Sequence, residues 1–392
     1  MRERKEERRE YIQWLMNCRE ISGKTCKRLL ERFEEPGELF SVRQGGLTEW
    51  MPERQARALE QYMRETKEIT GIREQYEKMK KQGIFFVTVE DEEYPEKLKE
   101  IPDAPLGIYY KGKLPAKNCL AVAIIGSRDC SEYGSRVAAK LGRSLGERGI
   151  PVISGMARGI DGISQQAAIE AGGESYGVLG CGVDICYPQS NHKLYQKLLE
   201  RGGLLSAYPP GTQPMPKNFP PRNRIVSGLS MAVVVVEAAL RSGTSITVSM
   251  ALEQGRDVYA VPGRITDRLS EGCNKLIKQG AEVYLDPESF IEELQETYFL
   301  QCISPMEKRR DDGESKKGES GEFSRNSECE KHDLSSELMQ IWEVLDETPK
   351  TVEEIKALIR EEIPLSVCSV RLMELTLRGK AKQVSGSYFC RS

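Results

Sequence analysis

Three short segments combine glycine, hydroxyl and arginine side chains in a way that is typical of anion-binding turns. They are Gly126-Ser127-Arg128, Ser154-Gly155-Met156-Ala157-Arg158-Gly159-Ile160-Asp161 and Ser242-Gly243-Thr244. Glycine lets backbone N–H groups approach a phosphate, a hydroxyl adds a donor, and arginine offers a bidentate fork. Each segment alone could also be a tight turn with a solvated arginine, or a helix cap. Together they favour a site for a polyanion.

A fourth segment, Lys217-Asn218-Phe219-Pro220-Pro221-Arg222-Asn223-Arg224, adds an aromatic ring to a set of cations. Single-stranded nucleic acid needs this pair, since cations hold its backbone and a π-face stacks on an unpaired base. The prolines within and before the segment predict an extended, exposed loop. The alternative is a structural loop in which Phe219 fills the core and Arg222 pairs with an internal carboxylate.

Catalytic and cofactor motifs are missing from the same turns. None of them fits a Walker A loop or the G-x-G-x-x-G dinucleotide fingerprint. With only His192 in the central region, no Ser-His-Asp set can be assembled. Asp161 and Glu237 are the acidic candidates, and each is interpreted as a cap or as a partner for an arginine. We therefore predict no catalytic residues, no cofactor and no metal.

The apolar pattern places these turns on a sheet. Strand-like runs lie at 121–126, 151–154, 175–179, 204–206, 232–237 and 257–261, with helical segments such as 133–148 and 164–171 between them. Continuous Val/Ile runs indicate strands that are buried on both faces, as in a parallel sheet covered by helices. Ligands of open parallel sheets bind beyond the carboxyl ends of the strands, where the glycine turns fall.

Flanking regions differ from this α/β core, which we assign to residues 81–300. Residues 1–80 have a helical pattern and predict a small helical domain of the SAM or helix-hairpin type. Residues 301–333 are mostly charged, Ser and Gly, which predicts a flexible linker. Residues 334–392 predict three helices and a hairpin, hence a winged-helix-like domain that binds either duplex DNA or protein.

Composition limits the remaining classes of function. The 57 Lys and Arg nearly balance the 60 Asp and Glu, giving a net charge of -3, so a nucleic-acid site must rest on a local patch. The charged N-terminus resembles no signal peptide, and no apolar run reaches the ~18 residues of a membrane span. The 11 cysteines are scattered without zinc spacing, as expected of reduced thiols. These patterns predict a cytoplasmic protein without membrane insertion.

Taken in order, the motifs resemble the DprA/Smf family of bacterial DNA-processing proteins. Besides the four segments above, the similarity includes Tyr94-Pro95, Tyr187-Pro188, Val236-Glu237-Ala238, Val261-Pro262-Gly263 and Asn274-Lys275-Leu276-Ile277. The resemblance implies an extended Rossmann-like, parallel-rich core that dimerises and binds single-stranded DNA in a basic pocket. It also implies protection of incoming DNA during natural transformation and help in loading the RecA recombinase. Arg128, Lys217 and Phe219 match the pocket residues of the family.

Two positions of this sequence depart from the family pattern, and one class of enzyme is an alternative to the DNA-binding function. Gln165 stands where many members have a histidine, and Ala207 where a glutamate is common; both replacements remove an ionisable group. The alternative function is a nucleotide phosphoribohydrolase-like Rossmann enzyme. Those enzymes carry Gly-Gly-x-Gly-Thr with a nearby glutamate, whereas Ser242-Gly243-Thr244 has one glycine and the next acid, Glu253, lies well along the helix.

Overall fold

The computed structural model describes residues 2–18, 20–43, 45–66, 70–117, 119–303, 336–346, 350–359, 365–377, 380–385 and 388–391. The chain divides into two compact units, Met1–Asp311 and Asp312–Ser392. Most of the predicted linker, residues 304–333, lies outside the described residues, while 301–303 belong to the last helix of the first unit.

A nine-stranded sheet in the order β1-β2-β6-β5-β4-β3-β7-β8-β9 organises the first unit. The pairs β1–β2 and β2–β6 are antiparallel, and all the other pairs are parallel. The strands are β1 (Phe85–Thr88), β2 (Gly107–Gly112), β3 (Val122–Ile125), β4 (Val152–Ser154), β5 (Ser175–Val178), β6 (Gly202–Ser206), β7 (Ala232–Val235), β8 (Asp257–Ala260) and β9 (Glu282–Val283).

Helices cover both faces of this sheet because its central strands are apolar on both sides. Along β3, Val122 and Ile124 join one buried cluster, whereas Ala123 and Ile125 join another. The helices of the first unit are α1 (Arg2–Asn17), α2 (Gly23–Arg32), α3 (Pro36–Phe40), α4 (Glu53–Thr66), α5 (Thr70–Lys81), α6 (Glu96–Lys99), α7 (Glu132–Glu147), α8 (Ile160–Glu170), α9 (His192–Arg201), α10 (Phe219–Gly228), α11 (Thr244–Glu253), α12 (Glu271–Lys278) and α13 (Pro287–Ile303). The prediction of an α/β, Rossmann-like core with a parallel-rich sheet is confirmed.

The N-terminal helices pack against the antiparallel end of the sheet. Trp14 is fully buried, and its indole N–H donates to Thr66 Oγ1 at 2.9 Å. Phe86 of β1 and Tyr109 of β2 belong to the same buried cluster as these helices. Helices and sheet therefore form one compact unit, and a separate domain over 1–80 stays a prediction.

The second unit has three helices and a three-stranded antiparallel sheet among its described residues. They are α14 (Ser336–Val344), α15 (Val352–Leu358), α16 (Leu365–Leu377), β10 (Lys350–Thr351), β11 (Ala381–Ser385) and β12 (Tyr388–Arg391), with strand order β10-β12-β11. Thr351 and Glu354 form a capping box at the start of α15. These elements match the pattern expected of a winged-helix-like domain.

The predicted strands are confirmed to within one or two residues at each end, with one wrong expectation beside them. The segment from Pro216 onward is not an extended loop: Pro216–Asn218 is a 3-10 turn, and α10 begins at Phe219. Pro220 lies in the first turn of α10, where a backbone N–H would have no partner and proline therefore costs little. No helix among the described residues has the length and apolar character that crossing a bilayer requires.

Candidate nucleic-acid interface

A cleft of about 580 Å³ opens at the carboxyl ends of the parallel strands. It lies where β3 is flanked by β4 on one side and β7 on the other, so that the chain leaves β3 in one direction and returns on its opposite side. This is the switch point at which open α/β sheets bind ligands. Most of the predicted site residues line it: Gly126, Ser127, Arg128, Phe219, Arg222, Asn223, Ser242, Gly243 and Thr244.

Backbone hydrogen bonds join the first two turns into one wall. The Ile160 N–H donates to the Ser127 carbonyl at 3.2 Å, and the Ser127 N–H donates to the Glu237 carbonyl at 2.9 Å. Gly159 has φ +71°, and a Cβ there would lie 2.3 Å from the Ser127 carbonyl oxygen. Only glycine fits that conformation and that contact. The wall leaves the Arg128 side chain exposed at the mouth of the cleft.

The floor of the cleft contains a buried arginine. Arg222 is 5% exposed, and its Nη1 donates to the Val178 carbonyl at 2.6 Å. A Cβ on Gly155 would lie 2.1 Å from Arg222 Nη1, so glycine is needed there for the guanidinium to fit. Burial lowers the pKa of Arg222, and the charge of Asp161 opposes this effect.

Asp161 is the electrostatic partner of this arginine and also stabilises the second turn. Its Oδ2 accepts a hydrogen bond from the Gly155 N–H at 3.1 Å. Burial raises the pKa of Asp161, while Arg222 acts in the opposite direction. Arg222 therefore has the internal carboxylate partner that the structural alternative anticipated, and a direct phosphate contact from it stays a prediction.

Phe219 is half-buried near the two arginines of the cleft. The guanidinium carbons of Arg128 and Arg222 lie 5.8 and 5.9 Å from its ring centroid, within cation–π range. A Cβ on Gly180 would lie 2.9 Å from the ring, so Phe219 packs directly on that glycine. The ring is thus neither a fully buried core residue nor a freely exposed one.

The third turn ends at the N-terminus of α11. Gly243 is the N-cap residue of this helix, and no side chain forms a cap hydrogen bond there. The Ser242 hydroxyl is buried at the cleft and has no hydrogen-bond partner among the described residues. A hydroxyl cap is therefore not formed at this turn, although Gly243 occupies the N-cap position. The Ser245 and Ile246 N–H groups donate to the Ser242 and Gly243 carbonyls at 3.3 and 3.2 Å, and the turn residues Ser242, Gly243 and Thr244 line the cleft.

Three predicted cations do not line the cleft. Arg158 is exposed, with Nη2 3.8 Å from Oδ1 of Asp129. Lys217 is exposed in the 3-10 turn before α10. Arg224 pairs with Asp103, and burial lowers its pKa. Arg158 and Lys217 stay candidates for contacts outside the cleft, whereas the engagement of Arg224 with Asp103 disfavours its predicted role.

Two side chains that the sequence patterns did not assign to the site contribute to it. Tyr187 lines the cleft, is 40% exposed and has its ring centroid 5.6 Å from that of Phe219. Gln165 is fully buried, and its Oε1 accepts a hydrogen bond from the Met156 N–H at 3.2 Å. The Tyr187-Pro188 motif is far along the sequence from the cationic segments, so the sequence did not indicate that Tyr187 lies beside them.

Glu237 supports the cleft from behind rather than facing a ligand. It is 3% exposed, and its Oε2 accepts a hydrogen bond from the Ser131 N–H at 2.9 Å. The Ser131 hydroxyl in turn caps α7 by accepting from the Gly134 N–H at 3.1 Å. Glu237 thus has the structural role that its sequence context indicated.

Comparisons with known proteins agree with this geometry. Protein Smf of Escherichia coli is 45% identical over 210 residues, which are 53% of this chain and 56% of that protein. DNA processing protein DprA of Streptococcus pneumoniae is 42% identical over 205 residues, 52% of this chain and 72% of that protein. The X-ray structure of the latter organism's DprA superposes with a TM-score of 0.60 at 34% identity, covering 69% of this chain and 93% of that one.

The matched region lies within the unit that contains the cleft. The sequence model of a family described as DNA recombination-mediator protein A matches residues 85–295, which is more than half of the chain. This range begins at β1, ends within α13 and includes every residue that lines the cleft. The chain belongs to the DprA/Smf family of DNA-processing proteins.

Proposed function

We propose that this protein binds single-stranded DNA in the cleft, protects incoming DNA and helps to load RecA during natural transformation and recombination. It acts in the cytoplasm as a binding protein rather than as an enzyme. One observation carries the proposal: an exposed arginine, Arg128, and an aromatic ring, Phe219, share a cleft with the N-terminus of α11. The family description, DNA recombination-mediator protein A, supports the biological role.

The chemistry of the cleft favours a DNA backbone over a small neutral ligand. Phosphate oxygens accept hydrogen bonds from the guanidinium of Arg128 and from the backbone N–H groups of Gly243 and Thr244 at the start of α11. The ring of Phe219 offers an apolar contact to a base next to those phosphates. A base reaches such a ring only when it is unstacked, which favours single strands over duplex. Lys217 and Arg158 then extend the cationic path beyond the cleft.

The enzyme alternative lacks support in Asp161 and Glu237, the two acids that the sequence analysis considered. Asp161 is buried opposite Arg222, and Glu237 accepts hydrogen bonds from Ser131. A glutamate or aspartate acting in acid–base chemistry must reach the substrate, and both side chains are engaged in holding turns. We therefore keep the phosphoribohydrolase-like function as an alternative that the experiment below also tests.

A second copy of the chain fits the exposed edge of the sheet. β9 ends the nine-stranded sheet, Val283 within it is 43% exposed, and Leu285 just after it is 75% exposed. An uncovered edge strand with apolar side chains is a surface that proteins usually cover. We propose a homodimer through this edge, tested by the molecular mass of a Val283→Glu, Leu285→Glu variant in light scattering. A mass equal to that of the wild type would contradict this arrangement.

The decisive experiment compares single-stranded and duplex oligonucleotides of one sequence across a range of salt concentrations. We expect tighter binding of the single strand at every salt concentration, with affinity falling as salt rises because phosphate contacts release counterions. In parallel, release of free base from nucleoside monophosphates is measured. Equal affinity for duplex would refute the proposal, and base release above that of an Arg128→Ala control would establish the enzyme alternative.

A further inference from the structure

Tyr187 is exposed in a way that most tyrosines of the first unit are not. Tyr94, Tyr109 and Tyr176 are at most 1% exposed, whereas Tyr187 is 40% exposed. Among the described residues, the Tyr187 hydroxyl makes no hydrogen bond, and its ring contacts that of Phe219. A half-exposed ring held by another ring at the rim of a cleft presents a flat apolar face to whatever enters.

The distance between the two rings determines how a base could use them. A base inserted between two rings needs about 7 Å, twice the roughly 3.4 Å spacing of stacked bases. The centroids of Tyr187 and Phe219 are 5.6 Å apart and their planes are inclined by 38°. There is no room for a base between them, so the two rings form a corner rather than a clamp.

Within this corner, Phe219 is the inner ring. Gly180 lies against it, and the guanidiniums of Arg128 and Arg222 lie 5.8 and 5.9 Å from its centroid. Phe219 is therefore the more enclosed of the two rings, whereas the Tyr187 ring is 40% exposed.

We propose that Tyr187 is a DNA-binding residue that stacks on a nucleobase of the bound single strand. Phe219 packs beside Tyr187 and Arg128 and adds its own apolar contact, so that one nucleotide places its base on Tyr187 and a neighbouring phosphate on Arg128. This inference rests on the proposed function and adds the base-contacting face to its site. Any base can stack in this way, so the contact carries little sequence preference.

The test uses the full chain with Tyr187→Ala, Tyr187→Leu and Tyr187→Phe, and a single-stranded oligonucleotide with and without bases. We expect Ala and Leu to weaken binding about fivefold or more, and Phe to retain wild-type affinity within about twofold, since only Phe keeps the ring. On a strand with abasic sites the three variants and the wild type should bind equally. Tyr133→Ala is the matched control, because Tyr133 is 45% exposed and lies outside the cleft.

A further variant covers the case in which Ala or Leu fails to fold. Tyr187→Trp keeps a stacking ring, and its fluorescence above that of the three native tryptophans should be quenched when the strand is added. Wild-type affinity of Tyr187→Leu, an equal loss on normal and abasic strands, or unquenched Trp fluorescence would each overturn the inference. In those cases the proposed function stands as long as the wild type binds single strands and Arg128→Ala weakens that binding. If the wild type fails to bind, the proposed function itself is refuted.

Discussion

Arg128 and Arg222 lie at almost the same distance from the ring of Phe219 but in opposite environments. Their guanidinium carbons are 5.8 and 5.9 Å from the ring centroid. Arg128 is exposed at the mouth of the cleft, whereas Arg222 is 5% exposed and bonded to the Val178 carbonyl. The same residue type therefore offers its charge to a ligand in one place and to the interior in the other.

This difference in burial determines whether each arginine contributes to folding stability or to phosphate binding. A buried guanidinium is tied to the fold through its partners, since removing one partner leaves the other charged and unsolvated. An exposed guanidinium contributes little to folding but is available to phosphate. Replacing Arg222 should therefore lower the free energy of unfolding, whereas replacing Arg128 should lower the affinity for single strands.

The largest expected effect is on folding. Arg222→Met should lower the free energy of unfolding by about 3–5 kcal/mol, because Asp161 is left buried without its partner. Adding Asp161→Asn to Arg222→Met should recover part of the loss, since the uncompensated charge is then gone. Denaturant unfolding of the variants measures both effects. A loss below about 1 kcal/mol would remove the distinction between the two arginines.

Arg128→Ala should instead weaken single-strand binding about tenfold or more, the range of a charge-assisted hydrogen bond. The slope of log K against log salt should fall by about 0.7, as for one lost phosphate contact. Stability should stay within about 0.5 kcal/mol of the wild type. Arg136→Ala is the control, because Arg136 is 74% exposed on α7 and away from the cleft. An unchanged salt slope would make Arg128 structural.

Replacing Phe219, which lies within cation–π range of both arginines, should lower both the affinity for single strands and the free energy of unfolding. Phe219→Ala should weaken binding roughly tenfold with an unchanged salt slope, since no charge is lost. Its cost in stability should be smaller than the ~3–5 kcal/mol of a fully buried phenylalanine. Phe219→Trp should keep most of the affinity. Melting temperature and affinity are measured on the same samples, and normal binding by a destabilised Phe219→Ala would refute a role in the site.

The smallest expected effect is the change in affinity when Asp129, at the rim of the cleft, is replaced. Asp129 lines the cleft, and its carboxylate lies 3.8 Å from Arg158, which is 61% exposed. Asp129→Asn removes a negative charge from the path of a polyanion and releases Arg158, so affinity should rise about twofold, in line with the weakness of surface ion pairs. Binding titrations at low salt measure it. A fall in affinity would mean that Asp129 positions Arg158 for DNA.

The strands of the sheet were predicted from the sequence more accurately than the details of the site. Val/Ile runs on β3 and β7 mark strands buried on both faces, and the glycine turns after them follow from that placement. The start of α10 was not predicted, because Pro220 and Pro221 favour an extended loop when they are considered alone. The first turn of a helix accepts proline, and this is where both residues lie.

The remaining differences between the predicted and the observed site arise from contacts between residues that are distant in the sequence. Arg224 pairs with Asp103, and Arg222 interacts with Asp161. Tyr187 reaches Phe219 across 32 positions of the sequence. No local pattern encodes which of several cations will find an acid that is far away in the chain, so charge and spacing alone assigned all of them to the ligand.

Gln165 gives the cleft a property that a histidine at this position would not. Its amide accepts from the Met156 N–H and donates to Ser175 Oγ and to the Tyr176 carbonyl, at 3.2, 3.2 and 3.0 Å. Met156 has φ +54°, an uncommon conformation that this hydrogen bond helps to hold. An amide does not titrate, whereas an imidazole changes charge between about pH 5 and 8. The bonds that Gln165 makes are therefore unchanged by acidification, whereas the bond from the Gly155 N–H in the same turn depends on the titratable carboxylate of Asp161.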